Sequence, residues 1–132
     1  HTAIRRQRQM CIRDRSLIER AARLNPTGVA TTYKGTDLTW ADTERRVASL
    51  ASGLQHLGLS EGDRVGILSL NCATYYEALF AVPWAGFCVV PLNTRWAVPE
   101  NNYAIGDSGT RASCLMMRFQ LRWRNCVQRS PA

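Results

Sequence analysis

Gly62–Asn93, GDRVGILSLNCATYYEALFAVPWAGFCVVPLN, reads as a strand, a helix and a second strand in succession. Arg64 to Leu70 (RVGILSL) is a short β-rich run, opened by a Gly-Asp turn and closed by Asn71. Thr74 to Ala85 is predicted helical, and Gly86 stands where a left-handed residue can end it. Phe87 to Val90 is a second apolar run of strand length, which Pro91 is expected to stop. Two apolar strands joined by a helix of this length pair in parallel, with a right-handed crossover. Their apolar residues barely alternate, as in strands covered on both faces. The class is therefore α/β.

On the N-terminal side, Ser16 to Glu19 has capping-box spacing, and Leu17, Ile18, Ala21 and Leu24 fall on one face of the helix it would start. Asn25-Pro26 ends that helix. Val29 to Trp40 reads as a β-hairpin: Val29, Thr31 and Tyr33 alternate, Lys34 to Asp37 supplies the turn, and Leu38 to Trp40 returns. Thr39, with Asp42 three residues on, offers a second N-cap. Val47, Leu50, Ala51, Leu54 and Leu57 then keep helical spacing until Gly58. His56, near the end of this helix, is read as a partner for its last carbonyls and not as a catalyst. On the C-terminal side, Leu92 to Trp96 is a loop, Pro99-Glu100 suits a helix start, and Asn101 to Ser108 is the predicted helix, stopped by Gly109.

The formal charge of +7 invites a nucleic-acid reading, so its distribution matters. Residues 1–15 hold five arginines and one acid, and residues 112–132 hold four arginines and no acid. The intervening 16–111 carry eight basic and nine acidic residues, a net −1. A basic footprint on the folded faces is therefore absent. Five cysteines (Cys11, Cys72, Cys88, Cys114 and Cys126) show no metal-type spacing, and His1 and His56 are far apart. Free thiols in a reducing cytosol are expected, with no zinc site. Residues 1–15 lack the apolar core of a secretory leader. Glu77, Pro83 and Pro91 interrupt the one apolar stretch of near-membrane length, so no transmembrane segment is expected.

In order and spacing, GDRV, the apolar strand, the helix and AGFCVVPLN resemble the N-terminal part of AMP-forming acyl-CoA synthetases, members of the adenylate-forming ligase superfamily. LTWADTERRVASLASGLQHLG resembles that family's early aromatic turn and long amphipathic helix. PLNTRWAVPENNYAIGDSGTR resembles its next loop, helix and D-S-G-x-R turn. Asn101-Asn102 departs from the charged or apolar residues usual there and weakens the expectation of a well-formed helix. The resemblance covers 16–111 and implies a partial N-terminal subdomain: a β-hairpin, a parallel strand–helix–strand unit and flanking helices. It implies a cytoplasmic enzyme that activates a carboxylic acid, of fatty or aromatic type, as an acyl-adenylate and passes it to coenzyme A. ATP and Mg would be required. Amino-acid adenylation and luciferase-like chemistry stay open within the family.

Residues 1–15 are expected to be a disordered or non-native basic leader, similar to translated adapter sequence. From Ala112 the family pattern breaks into a basic tail. A reading-frame slip accounts for it: the frame starting at the third base of each codon reads Asp across Met116-Met117 and then, with suitable synonymous codons, an acidic continuation. The other account is a genuine tail, with Phe119 and Trp123 among arginines able to stack on single-stranded bases. A small nucleic-acid-binding module using the Arg-rich ends is thus the alternative function, and a small interaction domain that folds alone is a third.

The catalytic machinery the resemblance implies is not in these residues. A triphosphate needs a Ser/Thr/Gly-rich cradle ending in lysine, yet the sole lysine, Lys34, lies in a hairpin turn. Asp63 and Asp107 are read as turn caps. Catalytic, cofactor-binding and metal residues are therefore expected to be absent, and the polypeptide inactive alone. Asn93 and Arg95 follow the carboxyl end of a buried strand, where open α/β sheets bind ligands, and are the candidates for lining a substrate path. An incomplete sheet should leave an aggregation-prone edge.

Overall fold

The computed structural model describes residues 17–117 and 120–124, with side chains to residue 112. Helix α1 (17–24) leads into an antiparallel hairpin of β1 (Val29–Tyr33) and β2 (Thr36–Thr39). Lys34 and Gly35 turn it with φ of 52° and 78°, the pair of left-handed residues that a two-residue hairpin needs. Helix α2 (Trp40–Gln55) follows without a loop. Then come β3 (Arg64–Leu68), α3 (Ala73–Trp84), β4 (Cys88–Leu92), α4 (Val98–Asp107), β5 (Thr110–Met117) and β6 (Gln120–Arg124).

The larger sheet has the order β4-β3-β5-β6. Both β4 and β5 run parallel to β3, and β6 returns antiparallel to β5. Val65 pairs with Val89 and with Ala112, so the β3 register joins all three parallel strands. The crossover through α3 runs from β3 to β4 and the one through α4 runs back from β4 to β5, and with the usual right-handed sense they cover opposite faces. The consecutive burial of Val65, Gly66 and Ile67 fits a strand covered on both sides.

The core joins Val47, Ala51 and Leu54 of α2, Val65 and Ile67 of β3, and Ala78, Ala81 and Val82 of α3, with Ile18 from α1 and Phe87 ahead of β4. The small residues on α3 let α2 approach it closely. Gly86, at φ 91°, ends the α3 segment as anticipated, and its carbonyl accepts the Gly62 amide at 2.8 Å. That bond ties the start of one parallel strand to the start of the other.

Four expectations need correction. Pro91 does not stop the second strand: it pairs opposite Ile67 inside β4. The strand is an edge, so part of its backbone has no ladder partner and the missing N–H is tolerated. In α1 the buried residues are Ile18 and Ala22, whereas Leu17 and Leu24 are 60% and 72% exposed. The face shifts because Ile18 is the side chain of this short helix that joins the core with Val47, Ala51 and Leu54 of α2. Helix α4 forms from Val98, with Pro99 and Glu100 in its first turn as expected, and Asn101-Asn102 does not prevent it. Past Ala112 the pattern assigned no element, but the backbone continues as β5 and turns into β6.

Candidate functional site

Two loops leave the carboxyl ends of the neighbouring parallel strands β3 and β4. The chain leaves β3 for β4 on one side and later comes back to place β5 on the other, so the strand order reverses about β3. Open α/β sheets bind ligands at the carboxyl ends of strands where such a reversal occurs.

The loop after β3 ends in Cys72, the extended N-cap of α3. Its Sγ accepts the Tyr75 amide at 3.4 Å and lies 3.8 Å from Ser69 Oγ. The Ser69 hydroxyl donates to the Leu70 carbonyl at 2.8 Å. Sequence reading missed this cap because cysteine is outside the usual set of Ser, Thr, Asp and Asn. No signal in the sequence marks it except its place between a strand and a helix.

The loop after β4 holds Asn93 and Arg95. Asn93 turns its side chain onto the loop itself: Oδ1 accepts the Arg95 amide at 2.9 Å. The Asn93 carbonyl accepts the Trp96 amide at 3.2 Å. Arg95 is exposed, and its guanidinium has no hydrogen bond or ion pair among the described residues. Glu100 closes the loop onto α4, its Oε2 accepting the Ala97 amide at 2.8 Å. Asn101, buried on α4, donates from Nδ2 to the carbonyls of Asn93 at 3.2 Å and Trp96 at 3.1 Å. Sequence reading took Asn101 as a mild defect of the helix. Its partners lie at i−8 and i−5, spacings that no local rule inspects.

Several other polar residues hold structural roles. His56 Nδ1 lies 2.7 Å from the Ser52 carbonyl at the end of α2, the dipole-partner role anticipated for it. Asp63 Oδ2 accepts the Ser60 amide at 2.8 Å and caps a turn, as read from the sequence. Asp107 is the exposed last residue of α4. Thr39 caps α2 and donates to Asp42 at 2.8 Å; this hydrogen bond, with help from Arg45, holds the Asp42 carboxyl below its ordinary range. Arg46 reaches from α2 to Glu77 of α3 in a bidentate pair at 2.7 and 3.1 Å. Glu77 is almost fully buried and Arg46 is half-exposed, and the Glu77 hydrogen bonds raise the guanidinium pKa further. Nothing in the spacing of 31 residues announces this pair.

Among the described residues no group of three or more His, Cys, Asp or Glu is placed to hold a metal ion. Lys34 is in the hairpin turn, 5.4 Å from the Tyr33 ring centroid, remote in the chain from both loops. No helix among the described residues is long and apolar enough to cross a membrane.

A sequence model described as AMP-binding enzyme matches residues 18–128. A feruloyl-CoA synthase from Amycolatopsis sp. is 49% identical over 90 residues, which cover 68% of this chain and 18% of that protein. A fatty acid–[acyl-carrier-protein] ligase from Streptomyces coeruleorubidus is 38% identical over 98 residues, covering 74% of this chain and 19% of that one. The chain thus spans less than a fifth of the length of these curated relatives. Among solved structures, o-succinylbenzoate–CoA synthetase from Bacillus subtilis, in complex with ATP and magnesium, superposes with a TM-score of 0.73 at 26% identity over 78% of this chain and 28% of that one. The N-terminal domain of FACL13 from Mycobacterium tuberculosis gives 0.73 at 26% identity, covering 77% of this chain and 26% of that one. The fold, the order of its motifs and these matches agree: the chain belongs to the AMP-binding enzyme family of acyl-CoA synthetases and related ligases, and corresponds to part of their N-terminal subdomain.

Proposed function

We propose that this chain contributes the N-terminal layer of an ATP-dependent carboxylic acid–CoA ligase, and that by itself it does not form the acyl-adenylate. The observation that carries the reading is the loop after β4, held at the carboxyl end of a parallel sheet with the Arg95 guanidinium turned to solvent. A guanidinium there suits a carboxylate or phosphate group. Arg95 is the residue that meets a passing anionic substrate, and Asn93 shapes the turn that displays it. The greater identity to a feruloyl-CoA synthase than to the fatty-acid ligase favours an aromatic carboxylic acid. The 132-residue polypeptide lacks a phosphate cradle and so supplies neither the positioning nor the positive charge that transfer to ATP demands.

A chimera tests the positive half. Residues 17–111 replace the matching segment of the Amycolatopsis feruloyl-CoA synthase, and feruloyl-CoA formation is followed. Retained activity is expected, with Arg95→Ala lowering kcat/KM by about tenfold, the order expected for one lost charged hydrogen bond. An inactive but folded chimera would refute the reading. The purified 132-mer mixed with ATP, Mg and ferulic acid should release no pyrophosphate, and release would overturn the negative half.

A further inference from the structure

We infer that Asn101 is a positioning residue, whose buried amide sets the shape of the loop that displays Arg95. The inference rests on the reading of that loop given above. Asn101 is the one buried residue of α4, a helix whose Val98 and Tyr103 are 73% and 74% exposed. The position a helix normally gives to an apolar contact is here given to a carboxamide. Its Nδ2 meets the carbonyls of Asn93 and Trp96 at 3.2 and 3.1 Å, with Ala97 at the limit, 3.5 Å away. An amide nitrogen carries two hydrogens, so the first two contacts use its capacity. Those two carbonyls flank Thr94 and Arg95. One side chain therefore staples both ends of the turn from which the guanidinium projects.

The other half of the amide argues against a role in stability alone. Asn101 Oδ1 is buried with no hydrogen-bond partner among the described residues. A buried acceptor left unpaired is costly, and a residue serving packing would avoid it. What the side chain returns is donor geometry. Aspartate, of the same size, cannot supply it when ionised, and leucine cannot supply it at all.

The test uses the full 132-residue chain with Asn101→Asp, Asn101→Ser and Asn101→Leu. Hydrogen exchange is read at the Arg95 and Trp96 amides, with β3 amides as the internal reference. Inorganic pyrophosphate is titrated while the Arg95 Nε–H resonance is followed. Asn101→Asp should lose about tenfold in protection of the two loop amides at pH 7, equivalent to one hydrogen bond. It should regain part of this at pH 4, where about half of an ordinary Asp carboxyl is protonated and donates once. Asn101→Leu should lose protection at both pH values and Asn101→Ser should fall between. The pyrophosphate response of Arg95 should weaken and recover with the loop. Wild-type protection in the Asp and Leu variants would overturn the inference. So would loss of β3 protection in all three variants, because Asn101 would then be a general core residue. If pyrophosphate leaves Arg95 unmoved in the wild type while exchange behaves as stated, the ligand reading of the loop fails and the positioning role stands.

Discussion

Arg46 and Glu77 carry the strongest polar bond between α2 and α3. Removing the arginine leaves a carboxylate in a place almost closed to water. Arg46→Ala should therefore lower stability by about 1.5–3 kcal/mol, whereas the double change Arg46→Ala with Glu77→Leu should recover much of the loss, because no buried charge remains. Urea midpoints of the two variants decide it, and equal destabilisation would show that the pair matters through packing. The Thr39–Asp42 cap makes a separate prediction. The Asp42 carboxyl titrates below its ordinary value of 3.8, chiefly through the Thr39 hydroxyl. A depressed folded pKa stabilises above the unfolded value and the benefit is lost as pH falls through the folded one. Stability should thus drop below about pH 4, and Thr39→Val should flatten that acid limb while losing about 1 kcal/mol of capping at neutral pH. An unchanged acid limb in Thr39→Val would mean that another carboxylate governs it.

Helix and strand ends are where the elements of this fold are joined. Gly86 ends the α3 segment at φ 91°, and a Cβ there would meet Glu61 Cγ at an ordinary 3.6 Å. The cost of Gly86→Ala is therefore conformational and not steric, about 1–2 kcal/mol. A loss of that size in thermal melts, with unchanged sheet content, is the expected result; a neutral effect would show that the turn relaxes. The α2–α3 contact is the other joint. Leu54 is fully buried between them, and Leu54→Ala should cost about 2–5 kcal/mol, with the spread set by how far the small α3 residues can close the gap. Comparing that loss with Leu24→Ala, which removes a side chain 72% exposed, checks whether burial, not hydrophobicity, is what counts. The alternation of hydrophobic residues could not rank the two, since both lie at helical spacing.

For the whole molecule, the controlling feature is an open sheet. Among the described residues β4 is an edge strand with one side outside the ladder, and Pro91 blunts only part of it. Concentration-dependent association through that edge is expected, and Val90→Lys should suppress it in light scattering while Val65↔Val89 pairing, on the alternate side chains, is kept. Unaltered association would place the sticky surface elsewhere.

The sequence by itself determined the α/β class, the hairpin, the strand–helix–strand unit and the caps at Thr39 and Gly86, because each depends on a period or a turn residue spanning a few positions. It also placed Asn93 and Arg95 just after a strand's carboxyl end, where the structure has the loop that holds them. The tertiary structure alone decided which face of α1 is buried, that Pro91 lies inside an edge strand, that Arg46 finds Glu77 and that Asn101 staples the loop. Those outcomes depend on which surfaces meet in space and where water is excluded, and both are set by neighbours far away in the chain.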